Sequence, residues 1–141
     1  MTVTLSDDAR RYIAAFEEAT DATARDCVVD DDRDRVVFVV KAGDMPKAIG
    51  RDGERVRGLE DRLGRDVELV EDAPTPEGFV AHALSPAAVY NVTVSENRDR
   101  VAYAEVARED RGVAIGESGR NIEMAKTLAK RHFDVDDIQL T

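Results

Sequence analysis

Behind Ser6 as an N-cap, with Asp7 and Asp8 in the first turn, apolar Ala9, Tyr12, Ile13 and Phe16 recur at helical spacing and predict an amphipathic helix. Two β-branched runs follow, Cys27 to Val29 and Val36 to Val40, separated by the acidic turn DDDRDR, and together they read as a hairpin. Asp44, Met45 and Pro46 then open a short helix that ends at Ile49 and Gly50. A further helix runs from about Glu54 to Leu63 with Val56, Leu59 and Leu63 inward, and Gly64 stops it. Alternation in RDVELVE, with Val67 and Leu69 apolar, supplies a third strand.

The same order returns downstream. Pro76 to Leu84, Tyr90 to Val94, Val101 to Val106, Glu109 to Ile115, Arg120 to His132 and Val135 to Leu140 carry helix, strand, strand, helix, helix and strand. The words repeat as well as the pattern: DRVVF from Asp34 returns as DRVAY from Asp99, 65 residues on, and Ala48-Ile49-Gly50-x-x-Gly53 returns as Ala114-Ile115-Gly116-x-x-Gly119, 66 residues on. One extra residue between strand and glycine loop is the expected source of the mismatch. The boundary falls in EDAPTPEG, whose two prolines make a short, stiff connector, so the expected domains are 1–73 and 74–141. The chain reads as α+β, two tandem α-β-β-α-α-β units.

Charge sharpens this picture. The net charge is −10, with 16 Arg but only 4 Lys, and 18 Asp against 12 Glu. Such an acidic, Lys-poor surface resembles those of proteins from salt-loving organisms, where molar salt screens carboxylate repulsion over about 3 Å. The bases nevertheless cluster: Lys47 to Arg65 and Arg108 to Arg131 each carry a net +2, and each contains one Gly-x-x-Gly. Less acidic windows around two glycine loops suggest surfaces that face an anion.

Topology and loop together resemble the KH domain in its prokaryotic type II form, and in particular the archaeal NusA-like transcription factors, which pair two such units. The resemblance rests on VVFVVKAGDMPKAIGRDGERVRGLE and AYAEVAREDRGVAIGESGRNIEMAKTLAKRHFDVDDIQL and covers nearly the whole chain. It implies a three-stranded sheet with helices on one face in each unit, and a loop that clamps about four nucleotides of single-stranded RNA by their backbone. Glycines at both ends let the chain approach a sugar-phosphate without a Cβ in the way, and helix N-terminal amides behind it add partial positive charge.

By this resemblance Gly50, Arg51, Asp52 and Gly53 form the first clamp, with Lys47, Arg55 and Arg57 as phosphate partners and Ile49 and Val56 as groove wall. Gly116, Glu117, Ser118 and Gly119 hold the second position, with Ile115 before it and Arg120, Asn121 and Lys126 beside it. Core packing of Ile49, Val56, Ile115 and Ile122 is an equal alternative. Glu117 departs from the family pattern, since it puts a carboxylate where a phosphate would pass; the second unit is expected to bind weakly or to serve as a docking face. Influence on transcription elongation or termination is the implied role, with RNA polymerase and the ribosome as further partners the resemblance leaves open. Bacterial relatives carry additional polymerase-binding and OB-fold domains, for which this chain has no room. A protein-interaction adaptor on the same fold is the competing reading.

Other chemistries find little support. There is no Gly-Lys-Ser/Thr phosphate loop, no Gly-x-Gly-x-x-Gly and no zinc-like Cys/His grouping, so neither catalysis nor a cofactor or metal is expected. His82 and His132 lie far apart, and His132 suits the C-terminal end of its helix. Asp30, Asp31, Asp32 and Asp34 lack the glycine and terminal glutamate of a calcium loop and read as a solvated turn. The single cysteine, Cys27, lies in an apolar run and is expected to be buried and inert. With no membrane-length apolar run and no signal-like start, the expected location is the cytoplasm.

Overall fold

The computed structural model describes residues 3–141, which divide into two compact units between Asp72 and Ala73. The first unit runs α1 (Asp7–Thr20), β1 (Ala24–Asp30), β2 (Arg35–Val40), α2 (Met45–Ile49), α3 (Glu54–Leu63) and β3 (Asp66–Glu71). The second runs α4 (Pro76–Ala83), β4 (Val89–Glu96), β5 (Arg100–Val106), α5 (Arg111–Ile115), α6 (Arg120–Phe133) and β6 (Asp137–Leu140). Each sheet has three strands in sequence order, the hairpin pair antiparallel and the last strand parallel to the central one. Both units are therefore α-β-β-α-α-β.

Local chemistry explains the boundaries. Ser6 Oγ accepts the Ala9 amide at 3.1 Å, and Thr75 Oγ1 accepts the Gly78 amide at 3.1 Å, which satisfies a donor at the start of α1 and α4. Gly64 ends α3 in the left-handed region at φ 68°, its amide donating to the Glu60 carbonyl at 2.8 Å. The acidic turn is a single 3-10 turn, Asp31–Arg33, with Arg65 placed 2.8 Å from Asp31 and 3.4 Å from Asp34. Cys27 is buried within the first core.

The first core stands on Val36, Phe38 and Val40 of β2 against Phe16, Ala48 and Leu59 of the helices, with Phe16 stacked on Phe38 at a ring-centroid distance of 4.6 Å. In the second unit the buried positions of β5 are Ala102, Ala104 and Val106, while Tyr103 and Glu105 are exposed. Phe38 therefore corresponds to Ala104, 66 residues on, and not to Tyr103 as the DRVVF/DRVAY match implies. The bulges agree, since the register shift follows the Ala24–Val40 pair in one sheet and the Val89–Val106 pair in the other. The extra residue thus lies in the β4–β5 hairpin, not between strand and loop. A one-residue slip inverts the two faces of a strand, so the textual repeat pairs buried residues with exposed ones. Ala102 and Ala104 are small, and the bulky buried side chains of this unit are Phe79, Leu84, Leu128 and Ile138.

Candidate nucleic-acid interface

Each unit joins its two adjacent helices through a Gly-x-x-Gly turn of nearly identical backbone. Gly50 has φ 77°, ψ 178° and Gly116 has φ 77°, ψ 166°, a region open only to glycine. The third residue is left-handed in both, Asp52 at φ 55° and Ser118 at φ 56°, and the closing glycines follow at φ 75° and 76°. Within the first loop the Gly53 amide donates to the Gly50 carbonyl at 3.2 Å, and in the second Gly119 donates to Gly116 at 3.1 Å. The amides of Arg51 and Asp52 take no part in this internal bonding, and they sit at the positive end of the ten-residue α3.

Apolar side chains stand next to both turns. Ile49 is 38% exposed and Ile115 41%, which removes them from the core, and Val113 is 45% exposed beside Ile115. Val56 packs against the first core and Ile122 is half-buried, so the candidate groove walls divide between the two readings.

The charged residues separate more sharply than their spacing suggests. Lys47, Arg51 and Arg57 are exposed around the first loop, and a Cβ built on Gly53 would lie 2.9 Å from Arg57 Nη1, so this guanidinium covers the closing glycine. Arg55 also lies beside the loop, but its Nη1 donates to the carbonyls of Thr20 at 2.8 Å and Lys47 at 3.0 Å. Arg62 and Arg65 face Glu18 and the acidic turn.

At the second loop the position of Lys47 is Val113, that of Arg51 is Glu117, that of Arg55 is Asn121 and that of Arg57 is Glu123. Glu123 Oε1 lies 3.5 Å from where a Cβ on Gly119 would sit, so a carboxylate occupies the place of the Arg57 guanidinium. Two of this window's six cations are spent on the last strand and its approach: Lys126 meets Asp137 at 3.2 Å, and Lys130 meets Asp134 at 2.8 Å and Asp136 at 2.7 Å. The hydrogen bonds that Lys130 donates to Asp134 and then Asp136 raise it above its ordinary pKa. Two windows of equal charge in the sequence thus become one cationic loop and one carboxylate-flanked loop. Glu123 was not among the sequence candidates; the 66-residue offset that superposes the glycines was enough to find it opposite Arg57.

His132, in the last turn of α6, packs its ring on Phe79 at 5.3 Å. Among the described residues no cluster of His, Cys, Asp and Glu could hold a metal ion, and no helix is long and apolar enough to cross a membrane.

Two glycine clamps of one geometry, each carried on an α-β-β-α-α-β unit, define a tandem type II KH protein, a class that grips single-stranded RNA by its backbone. Residues 10–75 match the KH domain family, and residues 76–141 match the NusA-like second KH domain. The probable transcription termination protein NusA of Halobacterium salinarum is 71% identical over 141 residues, covering all of both chains. Its namesake from Halococcus morrhuae is 59% identical over 140 residues, 99% of each chain. A solved structure, "Crystal structure of APE1850", superposes with a TM-score of 0.85 at 29% identity over 97% of this chain and all of its own. The chain belongs to the NusA family of transcription termination proteins.

Proposed function

We propose that this protein binds single-stranded RNA chiefly through its first glycine loop and acts on transcription elongation or termination. The observation that carries the reading is the charge contrast between two loops of equal backbone: Lys47, Arg51 and Arg57 surround Gly50 to Gly53, whereas Glu117 and Glu123 flank Gly116 to Gly119. Phosphate is drawn more strongly to the first loop than to the second, where Arg120 is offset by Glu117 and Glu123. Ile49, with Val56 behind it, offers apolar surface to a base beside the first clamp. The second loop adds a weaker contact, in which Ile115, Arg120 and Asn121 take part, while Lys126 is held by Asp137.

Binding is the whole of the activity in this reading, with no catalytic step. RNA polymerase is the partner that fits a termination factor, in the cytoplasm where transcripts are made. The family names support that assignment over the adaptor reading. Crosslinking in cells, with sequencing of bound RNA and copurification scored for polymerase and ribosomal subunits, tests it directly. Nascent transcripts and polymerase are expected; a protein that crosslinks to no RNA while retaining a protein partner would return the adaptor.

A further inference from the structure

We propose that Arg55 and Asn121 are the positioning residues of the two glycine loops, each bracing its loop against the end of the unit's first helix; the effect on RNA rests on the binding function proposed above. Both sit two residues after the closing glycine, in the first turn of α3 and α6 respectively. Arg55 Nη1 donates to Lys47 O, three residues before Gly50, at 3.0 Å and to Thr20 O, the last residue of α1, at 2.8 Å. Asn121 Nδ2 donates to Val113 O, three residues before Gly116, at 3.3 Å and to Leu84 O, the residue after α4, at 3.5 Å. Two unlike side chains thus reach the same carbonyl of the short helix, and a second carbonyl at the end of the first helix, in two copies of one unit. Chance contacts of a long surface arginine would not be reproduced by a short amide.

The brace also accounts for the opening glycine. A Cβ on Gly50 would fall 2.7 Å from Arg55 Cγ, and one on Gly116 would fall 2.8 Å from the Asn121 amide nitrogen. Under the first loop it is the stem of Arg55 that crowds the position, and under the second the backbone nitrogen and Cβ of Asn121, at 2.8 and 2.9 Å. Each brace ties three pieces together: the carbonyl end of the first helix, the last turn of the short helix, and the start of the long helix. Those carbonyls are groups a helix end otherwise leaves to water. Fixing them holds the loop in one shape before any ligand arrives, which lowers the ordering cost of binding. Arg55 does this more firmly, at 2.8 and 3.0 Å, than Asn121 at 3.3 and 3.5 Å.

The test is amide hydrogen exchange of the full chain without RNA, followed by titration with a single-stranded RNA of about eight nucleotides, two clamps' worth. In Arg55→Met the Gly50 and Gly53 amides, bonded to Pro46 O and Gly50 O, should exchange about tenfold faster while the β2 amides stay protected. Arg55→Asn, which installs the second unit's brace without a charge, should recover most of that protection and part of the lost affinity. Asn121→Leu should expose Gly116 and Gly119 in the same way. If both Arg55 variants instead lose affinity equally, with the salt slope reduced by about 0.7 and the glycine amides unchanged, Arg55 is a phosphate contact and the proposal is wrong. Should Arg55→Met open β2 as well, Arg55→Asn decides: restored glycine protection supports the brace, and its absence overturns it. A wild-type protein that binds no RNA at any salt would end the proposed function, while the exchange data would still decide the brace.

Discussion

Glu123 stands over Gly119, its carboxylate oxygen 3.5 Å from where a side chain on that glycine would begin. Arg57 holds the same place over Gly53, so the two loops differ in sign both within the turn, Arg51 against Glu117, and above it. Arg51→Asp should lower affinity for single-stranded RNA and flatten its salt dependence by about 0.7 in the log-log slope, the value of one phosphate contact. Glu117→Lys combined with Glu123→Arg should raise affinity, each by roughly the 1 kcal/mol of an exposed charge contact and less at molar salt. Titrations across several KCl concentrations check both. A silent Arg51→Asp beside a damaging Glu117→Asp, Ser118→Asp pair would place the working clamp in the second unit.

The loop backbones predict stability changes that need no RNA. Ser118 is held left-handed at φ 56°, where a side chain costs about 1–2 kcal/mol, so Ser118→Gly should stabilise the second unit by about 1 kcal/mol. Asp52→Gly at φ 55° should gain less, because Asp tolerates this region better than Ser. In the opposite direction, Gly116→Ala should cost more than Gly50→Ala. The added methyl meets a backbone nitrogen at Gly116 but a side-chain carbon, which can turn aside, at Gly50. Denaturant midpoints order the four variants, and the reverse ranking of the two alanine variants would contradict this geometry.

Arg35 is buried to 1% exposure between Asp30 at 2.8 Å and Glu68 at 2.7 Å, joining all three strands of the first sheet. Its removal takes the nearer cation from Asp30, which keeps Arg33 at 3.9 Å, and an ion-pair partner from half-exposed Glu68, so Arg35→Ala should cost about 3 kcal/mol. Burial opposes ionisation of Asp30, but the hydrogen bond and charge of Arg35, with Arg33 close by, outweigh it, and the carboxyl lies below its ordinary pKa. A carboxyl depressed in the fold stabilises it above the unfolded value of about 3.9, and that contribution is lost as pH falls through the folded value. Stability should therefore drop below about pH 4, and Asp30→Asn should remove part of that limb without altering the profile's shape above pH 5. An unchanged acid limb in Asp30→Asn would remove the residue from this role.

The elements were readable because helical and alternating periods are long in this chain, and the caps at Ser6 and Gly64 are strong local signals. The glycine loops were readable for a similar reason, since a Gly-x-x-Gly between two helical periods leaves few conformations. Misreading began where the words of the repeat and its structure part company. DRVVF and DRVAY match by letter, yet a hairpin one residue longer turns Tyr103 outward where Phe38 points in. Charge is redistributed by the fold for a related reason. Lys126 and Lys130 fall in the second loop's window by number, but the helix carries them toward Asp137 and Asp136, and only tertiary structure supplies those acids. Likewise the bonds of Arg55 to two carbonyls, one of them 35 residues away, cannot be read from the sequence.

Salt should stabilise this protein rather than weaken it. The chain carries −10 overall, and the windows around the two loops, each +2, are its least acidic parts, so the rest of the chain carries −14. At about 0.01 M salt the screening length is about 30 Å, wide enough for acids across a small unit to repel one another, and at 1 M it shrinks to about 3 Å. Screening also weakens attractive pairs such as Arg62 with Glu18 and Lys130 with Asp134, but both are well exposed and such pairs contribute about 0–1 kcal/mol each. Repulsion within this net negative charge therefore outweighs what the pairs lose. The circular dichroism melting temperature should rise between dilute buffer and molar KCl, and by a similar amount in NaCl, since screening does not distinguish the two cations. RNA affinity should fall over the same range, because counterion release favours binding only when salt is scarce. Stability and affinity thus move in opposite directions with KCl. A melting temperature that stays flat or falls would refute the halophilic surface, while the affinity curve would still report on the clamp.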